Sequence, residues 1–360
     1  MPVIVDTIEE LTAEWFTSAL REGGTLPAGA SVTAARSALI GTGQVGMVVR
    51  SELEYDGDVN GSPSSVVVKL PATDIGKRQV GTAMGLYESE VRFYREIAPL
   101  VGTAIPRMYW GDVDAATGRI TLVIDDLTGC AEVGDMIAKA TVDQAELAFA
   151  ELVKLQAPLW NDPRLRTLPW LSDSSRAQVM FDAVAPAIEP FKAAYGERLE
   201  PEHVALVERL GPKASAWPAK ALVDPLVVIH GDYRLDNMLF GTADDAPPVS
   251  ILDWQACRLG PPLLDHTIFL GSCMSTDDRR AHERDLLRGY HEGLVAHGVS
   301  GFTFEDCLES YRISSLYPFL LTVSMSLFLA HTDRDREVWT QLLRGTAELV
   351  QDVGAADLLD

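Results

Sequence analysis

Asp232, Asn237 and Asp253 are the residues of this chain whose types and spacing could do chemistry. The first two lie in Val228-Ile229-His230-Gly231-Asp232-Tyr233-Arg234-Leu235-Asp236-Asn237-Met238-Leu239-Phe240, where an apolar run breaks into a polar turn and then resumes. A second apolar run ends at Ile251-Leu252-Asp253-Trp254. Two carboxylates and one amide, each at the end of a strand, can gather around a hard divalent cation and a phosphoryl group. Asp232 could accept or orient the proton of an attacking hydroxyl. Asn237 offers the cation a neutral oxygen and Asp253 an anionic one. His230 is placed to hold the turn in shape. Arg234 could steady a phosphate or pair with Asp236 or Asp265. A plain β-hairpin with polar ends is the alternative, and the order of elements upstream argues against it.

Those elements begin with Gly41-Thr42-Gly43-Gln44-Val45-Gly46, a G-x-G-x-x-G run. A dinucleotide-binding turn needs a helix immediately after it, so that the helix N-terminus meets the pyrophosphate. Met47-Val48-Val49-Arg50-Ser51-Glu52-Leu53 follows instead and reads as a strand. Strand, glycines, strand is a hairpin, and glycine there lets backbone N–H groups approach phosphate oxygens with no Cβ in the way. Lys69 lies in the β-branched run Ser65-Val66-Val67-Val68-Lys69-Leu70, where a lysine either faces solvent or serves an anion. The spacing then predicts a helix over 87–98, with Val91, Tyr94 and Ile97 on one face and Glu88, Glu90 and Glu96 as candidate partners for Lys69.

Glycine hairpin, strand lysine, helix glutamate, then aspartate, asparagine and a second aspartate is the order found in protein kinases. Here His-Gly-Asp and Asp-Trp-Gln stand at the two catalytic signatures. In this the chain resembles the aminoglycoside phosphotransferase family, with its choline-kinase-like and ecdysteroid-kinase-like relatives. The resemblance runs from about Ser31 to about Leu270. It implies a two-lobed, protein-kinase-like α+β fold that moves the γ-phosphate of ATP, or of GTP, to a small-molecule hydroxyl with Mg²⁺. It implies Asp232 and Arg234 as catalytic residues, and Asn237 and Asp253 as metal ligands. Gly41, Gly43, Gly46 and Lys69 would serve the nucleotide phosphates. Glu90 is the glutamate matched by the family's Glu-apolar-x-Phe-Tyr pattern. Leu122-Val123-Ile124-Asp125-Asp126-Leu127 is similar to the family's hinge, which places Asp125 and Leu127 at the nucleotide. The Asp265 of Gly260-Pro261-Pro262-Leu263-Leu264-Asp265 is implied to be structural. Relatives often carry a histidine where this chain has Gln156, also a structural position. No residue supports aminoglycoside specificity.

After Asp253 the chain goes directly into helices, without the long activation segment that a protein substrate would need. The acceptor is therefore expected to be a small molecule. Its pocket is expected from 269–290 and 310–331, where Tyr311, Tyr317, Phe319 and Phe328 suggest a partly apolar compound as readily as core packing. Two rivals remain. A nucleotide-binding scaffold without turnover would have lost Lys69, Asp232, Asn237 or Asp253, and all are present. An NAD(P)-dependent oxidoreductase would need a helix after Gly46.

The elements that must position these residues fall into two parts. A leading helix over 7–22 and a strand-rich section predict an N-terminal, nucleotide-binding lobe over 1–127. A mainly helical remainder predicts a C-terminal lobe over 128–360, with catalytic loop, metal site and acceptor helices. At 360 residues the chain is long enough for two cores. A formal net charge of −22 argues against nucleic acid and anionic lipid as partners. Four scattered cysteines suggest neither a zinc site nor a disulfide framework. With no signal-peptide pattern, a cytoplasmic location is expected. The uncharged stretch from Ile313 to Ala330 is short for a membrane span, carries Pro318, and reads as a buried helix.

Overall fold

A computed structural model describes residues 2–42, 46–59, 61–329 and 332–360. The chain divides into two compact units, the first made of Met1–Pro99, Ala104–Glu132 and Gly241–Ala256 and the second of the remainder.

The first unit opens with helix α1 (Ala13–Glu22). The single helix expected over 7–22 is in fact divided. Glu10 turns back to accept the N–H groups of Asp6 and Thr7 at 2.9 and 3.0 Å, closing a separate 3₁₀ turn. Thr12 then caps α1 by accepting from the Trp15 N–H at 3.2 Å. The apolar face Trp15, Phe16, Ala19 and Leu20 is buried, and Trp15 meets Trp110 edge to face at 5.4 Å. Gly23 caps the helix and leaves no room for a side chain, since a Cβ there would lie 1.8 Å from the Tyr109 carbonyl.

An antiparallel sheet follows, with strands β1 (Ser31–Thr42), β2 (Gly46–Asp56), β3 (Ser65–Pro71), β4 (Met108–Asp114) and β5 (Arg119–Asp125) in the order β1-β2-β3-β5-β4. Alternation decides the faces of β3: Val66, Val68 and Leu70 go into the core, and Lys69 takes the opposite side. The register sets Val48, Lys69 and Leu122 side by side across the three central strands. Between β3 and β4 run α2 (Ile75–Ala83) and α3 (Leu86–Arg92). Helix α2 is mostly exposed and buries only Gly81, so it leaves no apolar stripe in the sequence. Helix α3 continues into a π turn, Phe93–Ile97, whose wider closure is marked by the Ala98 N–H bonding to the Phe93 carbonyl. Tyr87, Val91, Tyr94 and Ile97 are buried on one face, as the helical spacing predicts.

The second unit is mainly helical. Helix α4 (Val142–Gln156) starts with a reciprocal cap, in which Thr141 and Gln144 each bond the other's backbone N–H. Its core gathers Phe181, Phe191, Tyr195, Trp217 and the helix Leu316–Leu329. This last helix takes up most of the uncharged stretch expected as one buried helix, while Ile313 and Ser314 end the helix before it; Phe319, Leu320 and Val323 are fully covered. Among the described residues no helix is long and apolar enough to cross a membrane. A short antiparallel ribbon, Val227–Ile229 with Arg258–Gly260, pairs Ile229 with Arg258 and carries the chain to the polar turn.

Candidate active site

In the first unit, strand β3, helix α3 and the segment after Ile251 converge on one ammonium group. Lys69 Nζ donates to Glu90 Oε1 and, at 3.0 Å, to Asp253 Oδ1. The Glu90 side chain is 1% exposed and that of Asp253 36%. Gln255 Nε2 approaches the other Glu90 oxygen at 3.4 Å. Burial alone would depress the Lys69 ammonium, but Asp253 and Glu90 outweigh it and hold the group above the ordinary lysine value. Burial pushes the Glu90 carboxyl above the usual range, against the pull of Lys69. Phe93 stacks on Trp254 at 3.6 Å with the planes 6° apart, which locks the segment carrying Asp253 against the end of α3. Asp253 itself has φ of 63°, the left-handed region that few non-glycine residues occupy. Such a conformation is held by its surroundings and is found most often at functional positions.

Gly41 and Gly46 stand at the closing ends of the β1–β2 hairpin, where Gly41 pairs with Val48 and Thr42 with Met47. Gly43 lies outside the described residues. A Cβ on Gly46 would meet the Leu70 carbonyl at 2.9 Å, so glycine is required there, whereas one on Gly41 would have room. A strand follows Gly46, so the helix that dinucleotide binding requires is missing from this position.

In the second unit the polar turn is tied together from within. Buried Asp265 accepts the N–H groups of His230 and Gly231 at 2.7 and 2.8 Å. Burial raises its carboxyl above the usual range, and His230 and the two backbone donors oppose that shift. His230 Nδ1 accepts the Asp232 N–H at 3.2 Å, which places any ring proton on Nε2. Gly231, at φ of 83°, makes the bend. Asn237 Nδ2 donates to the Asp232 carbonyl at 2.9 Å and to its carboxylate at 3.0 Å. With its donors engaged, the amide presents Oδ1, the atom a hard cation uses. Arg234 Nε sits 3.1 Å from Asp232 Oδ1, and its Nη1 lies 3.9 Å from Asp236. The carboxylate of Asp265 is thus occupied by the turn's backbone, and Arg234 is directed at Asp232.

The phosphotransferase enzyme family (APH) matches residues 57–299. This chain belongs to that family. No curated protein matches the sequence. Among solved structures, the phosphotransferase is similar to choline kinase from Cryptosporidium parvum Iowa II, at 11% identity over 89% of this chain and 91% of that one, with a TM-score of 0.53. It is likewise similar to a microcompartment-associated aminopropanol kinase, at 14% identity over 96% and 99% with a TM-score of 0.53. A third is the ADP-bound aminoglycoside phosphotransferase APH(2'')-Ib, at 16% identity over 89% and 95% with a TM-score of 0.50. These likenesses establish the kinase-like α+β fold.

Within this phosphotransferase the remaining sequence candidates are placed as follows. Asp125 ends β5 with its carboxylate engaged by the Tyr109 hydroxyl and, at 2.8 Å, the Arg107 N–H. The Leu127 carbonyl accepts the N–H groups of Cys130 and Ala131, both at 3.1 Å. Gln156 is fully buried and bridges the Pro262 carbonyl and the Tyr290 hydroxyl. Sequence reasoning missed Gln255 and Trp254 as supports for Glu90 and Asp253. Their direct succession to Asp253 was the available signal.

Proposed function

We propose that this protein transfers the γ-phosphate of ATP to the hydroxyl of a small molecule, with Mg²⁺ as cofactor. The observation that carries the reading is Lys69, held protonated by buried Glu90 and by Asp253 on a left-handed backbone. A phosphoryl-transfer site needs a fixed cation for the nucleotide phosphates and an anionic oxygen for the metal, and this cluster has both. The ADP bound in the aminoglycoside phosphotransferase APH(2'')-Ib supports a nucleoside triphosphate donor, with GTP as the alternative.

Lys69 would hold the α- and β-phosphates, with Glu90 fixing its position, and the hairpin of Gly41, Gly43 and Gly46 would cover them. Asp125 and Leu127 would border the base through their backbone. Among the described residues no three His, Cys, Asp or Glu side chains cluster as a metal cage. An amide oxygen from Asn237 and a carboxylate from Asp253 fit Mg²⁺, which takes few protein ligands and completes its shell with phosphate oxygens and water. Bound there, the ion would neutralise charge on the β- and γ-phosphates. Asp232 would receive the acceptor's hydroxyl proton as the new O–P bond forms and the bond from the γ-phosphorus to ADP breaks. The hydrogen bond from Asn237 and the guanidinium of Arg234 orient the Asp232 carboxylate for this. In this proposal the nucleotide belongs to the lobe 1–127 and the acceptor to the lobe 128–360.

The test is acceptor-dependent ADP release across a panel of amino alcohols, sugars, sterols and antibiotics. Asp232→Asn is expected to lower turnover by roughly 10²–10⁴-fold with ATP binding kept. Near wild-type turnover in that variant removes Asp232 from the role, and ADP release from none of the panel removes the reading.

A further inference from the structure

The π turn that follows helix α3 holds a polar atom that the cluster around Lys69 leaves unused. Tyr94 is 4% exposed, and among the described residues its hydroxyl finds no hydrogen-bond partner. A buried hydroxyl without a partner carries the full cost of losing water, and native proteins rarely keep one without a use. Phenylalanine would fill nearly the same space without that cost.

Its neighbour on the helix is short of donors. Glu90 is fully buried. Its Oε1 accepts from the Lys69 ammonium, but among the described residues its Oε2 accepts only from the Gln255 amide, at the long distance of 3.4 Å. Glu90 and Tyr94 stand four residues apart, a spacing that puts two side chains on one side of a helix. A long helical side chain also leans back over the turn before its own Cα, which carries the Tyr94 ring toward Glu90. Burial raises the Tyr94 hydroxyl above its ordinary value, Glu90 raises it further, Lys69 lowers it and Asp253 raises it again. The hydroxyl thus lies within electrostatic reach of all three charges.

A bound nucleotide would change the balance at Glu90. In the free protein one ammonium serves two carboxylates, Glu90 and Asp253. Phosphate oxygens at Lys69 would add further negative charge to the same ammonium, and its compensation of Glu90 would be diluted. The Glu90 side chain is 1% exposed, so water cannot make up the difference. A hydrogen bond from a neutral donor keeps a buried carboxylate ionised. The Tyr94 hydroxyl is a donor of that kind, on the same helix and not engaged elsewhere among the described residues.

We infer that Tyr94 is a positioning residue for the nucleotide: when Lys69 and Asp253 turn to a bound nucleotide and its metal, the Tyr94 hydroxyl donates to Glu90 Oε2 and keeps the Lys69–Glu90 pair in place. The inference rests on the phosphotransferase reading and adds a residue to its nucleotide site. Tyr94 acts through Glu90 and Lys69 rather than on the phosphates.

Tyr94→Phe separates this role from packing, because stability and affinity should move in different directions. In the full-length protein free of nucleotide, the replacement removes an unpaired hydroxyl and should leave the urea midpoint unchanged or raise it. Calorimetry should show the Kd for Mg-ATP weakened by about tenfold. Glu90→Gln leaves a neutral acceptor, so adding Tyr94→Phe to that variant should change its Kd by about threefold or less. A lower midpoint in the free protein overturns the inference, because the hydroxyl would then already be at work there. Equal Kd values for wild type and Tyr94→Phe overturn it and leave the phosphotransferase reading standing, as does the same loss in the Glu90→Gln background. Failure of the wild type to bind Mg-ATP or Mg-GTP removes that reading and the inference with it. Binding with the expected loss, but no phosphate moved to any acceptor of the panel, upholds the inference and removes the transferase reading.

Discussion

Replacing Lys69 with methionine keeps most of the side-chain volume and removes the charge that compensates Glu90. The Glu90 side chain is 1% exposed, so water cannot take over, and the Gln255 amide at 3.4 Å is a weak substitute. Breaking a buried pair in this way costs about 3–5 kcal/mol. There is also a ceiling, because Glu90 can escape by taking up a proton. From an ordinary value of about 4.3, protonation at pH 7 costs roughly 2.7 × 1.36, or ~3.7 kcal/mol. Asp253 is 36% exposed and can rehydrate, so its share is below about 1 kcal/mol. The Glu90 carboxyl already lies above its ordinary value with Lys69 present, so the wild type bears part of this cost and Lys69→Met should lose at most about 3–4 kcal/mol at pH 7. The sign of the pH dependence follows. Without Lys69 the folded-state carboxyl titrates still further above its unfolded value, so lowering the pH protonates the folded state first and restores stability. At pH 5 the deficit should shrink to about 1 kcal/mol. Urea denaturation followed by tryptophan fluorescence at both pH values measures it, since Trp254 stacks on Phe93 beside the cluster. In a Glu90→Gln background the same replacement should cost less than about 1 kcal/mol. A deficit that does not change with pH, or that persists in the Gln background, would refute the role of Lys69 as the counter-ion of Glu90.

Asp253→Asn should fold like the wild type, because asparagine tolerates the left-handed backbone, yet lose Mg²⁺-dependent nucleotide binding; unchanged calorimetry would sink the metal assignment. Asp265→Asn leaves one acceptor for two backbone donors and should cost about 1.5–3 kcal/mol, with turnover falling alongside. An unaltered melting temperature would show that the turn does not depend on it. Buried His266, packed between Phe149 and Tyr290, is held down to about 3 by burial. Its stabilising neutral state is fully present above the unfolded value of about 6.5 and is lost as the pH falls toward the folded one. Between pH 6.5 and 5 the wild type should lose about 1.6 kcal/mol more than His266→Gln, and parallel curves would contradict this.

Much of the site was legible in the sequence because its chemistry is local. The β-branched run around Lys69 marks β3, whereas Glu88, Glu90 and Glu96 stay open on spacing alone and only the resemblance to the family's Glu-apolar-x-Phe-Tyr pattern singles out Glu90. The polar turn could be read because its partners, His230, Asp232 and Asn237, sit within a few residues of one another. Other features depend on tertiary contact. The close approach of Gly23 to Tyr109 and the stacking of Phe93 on Trp254 involve residues far apart in the chain. Helix α2 is too exposed to carry an apolar period. Strand β4 has only one consistently buried stretch, Tyr109 to Gly111, too short to declare itself. The aromatics Tyr311, Tyr317 and Phe319 read equally as pocket or as core in the sequence, and the packing buries them.

The path of the chain through its two units has a practical consequence for dissecting the protein. Asp253 belongs to the first unit but arrives there only after more than a hundred residues of the second, in the returning segment Gly241–Ala256. A fragment ended at Glu132 would keep Lys69 and Glu90 and lose the second carboxylate, the Gln255 amide and the indole that covers Phe93. Cutting the gene in two therefore yields no autonomous half, and reconstitution would require supplying 241–256 in trans or splicing it after residue 132.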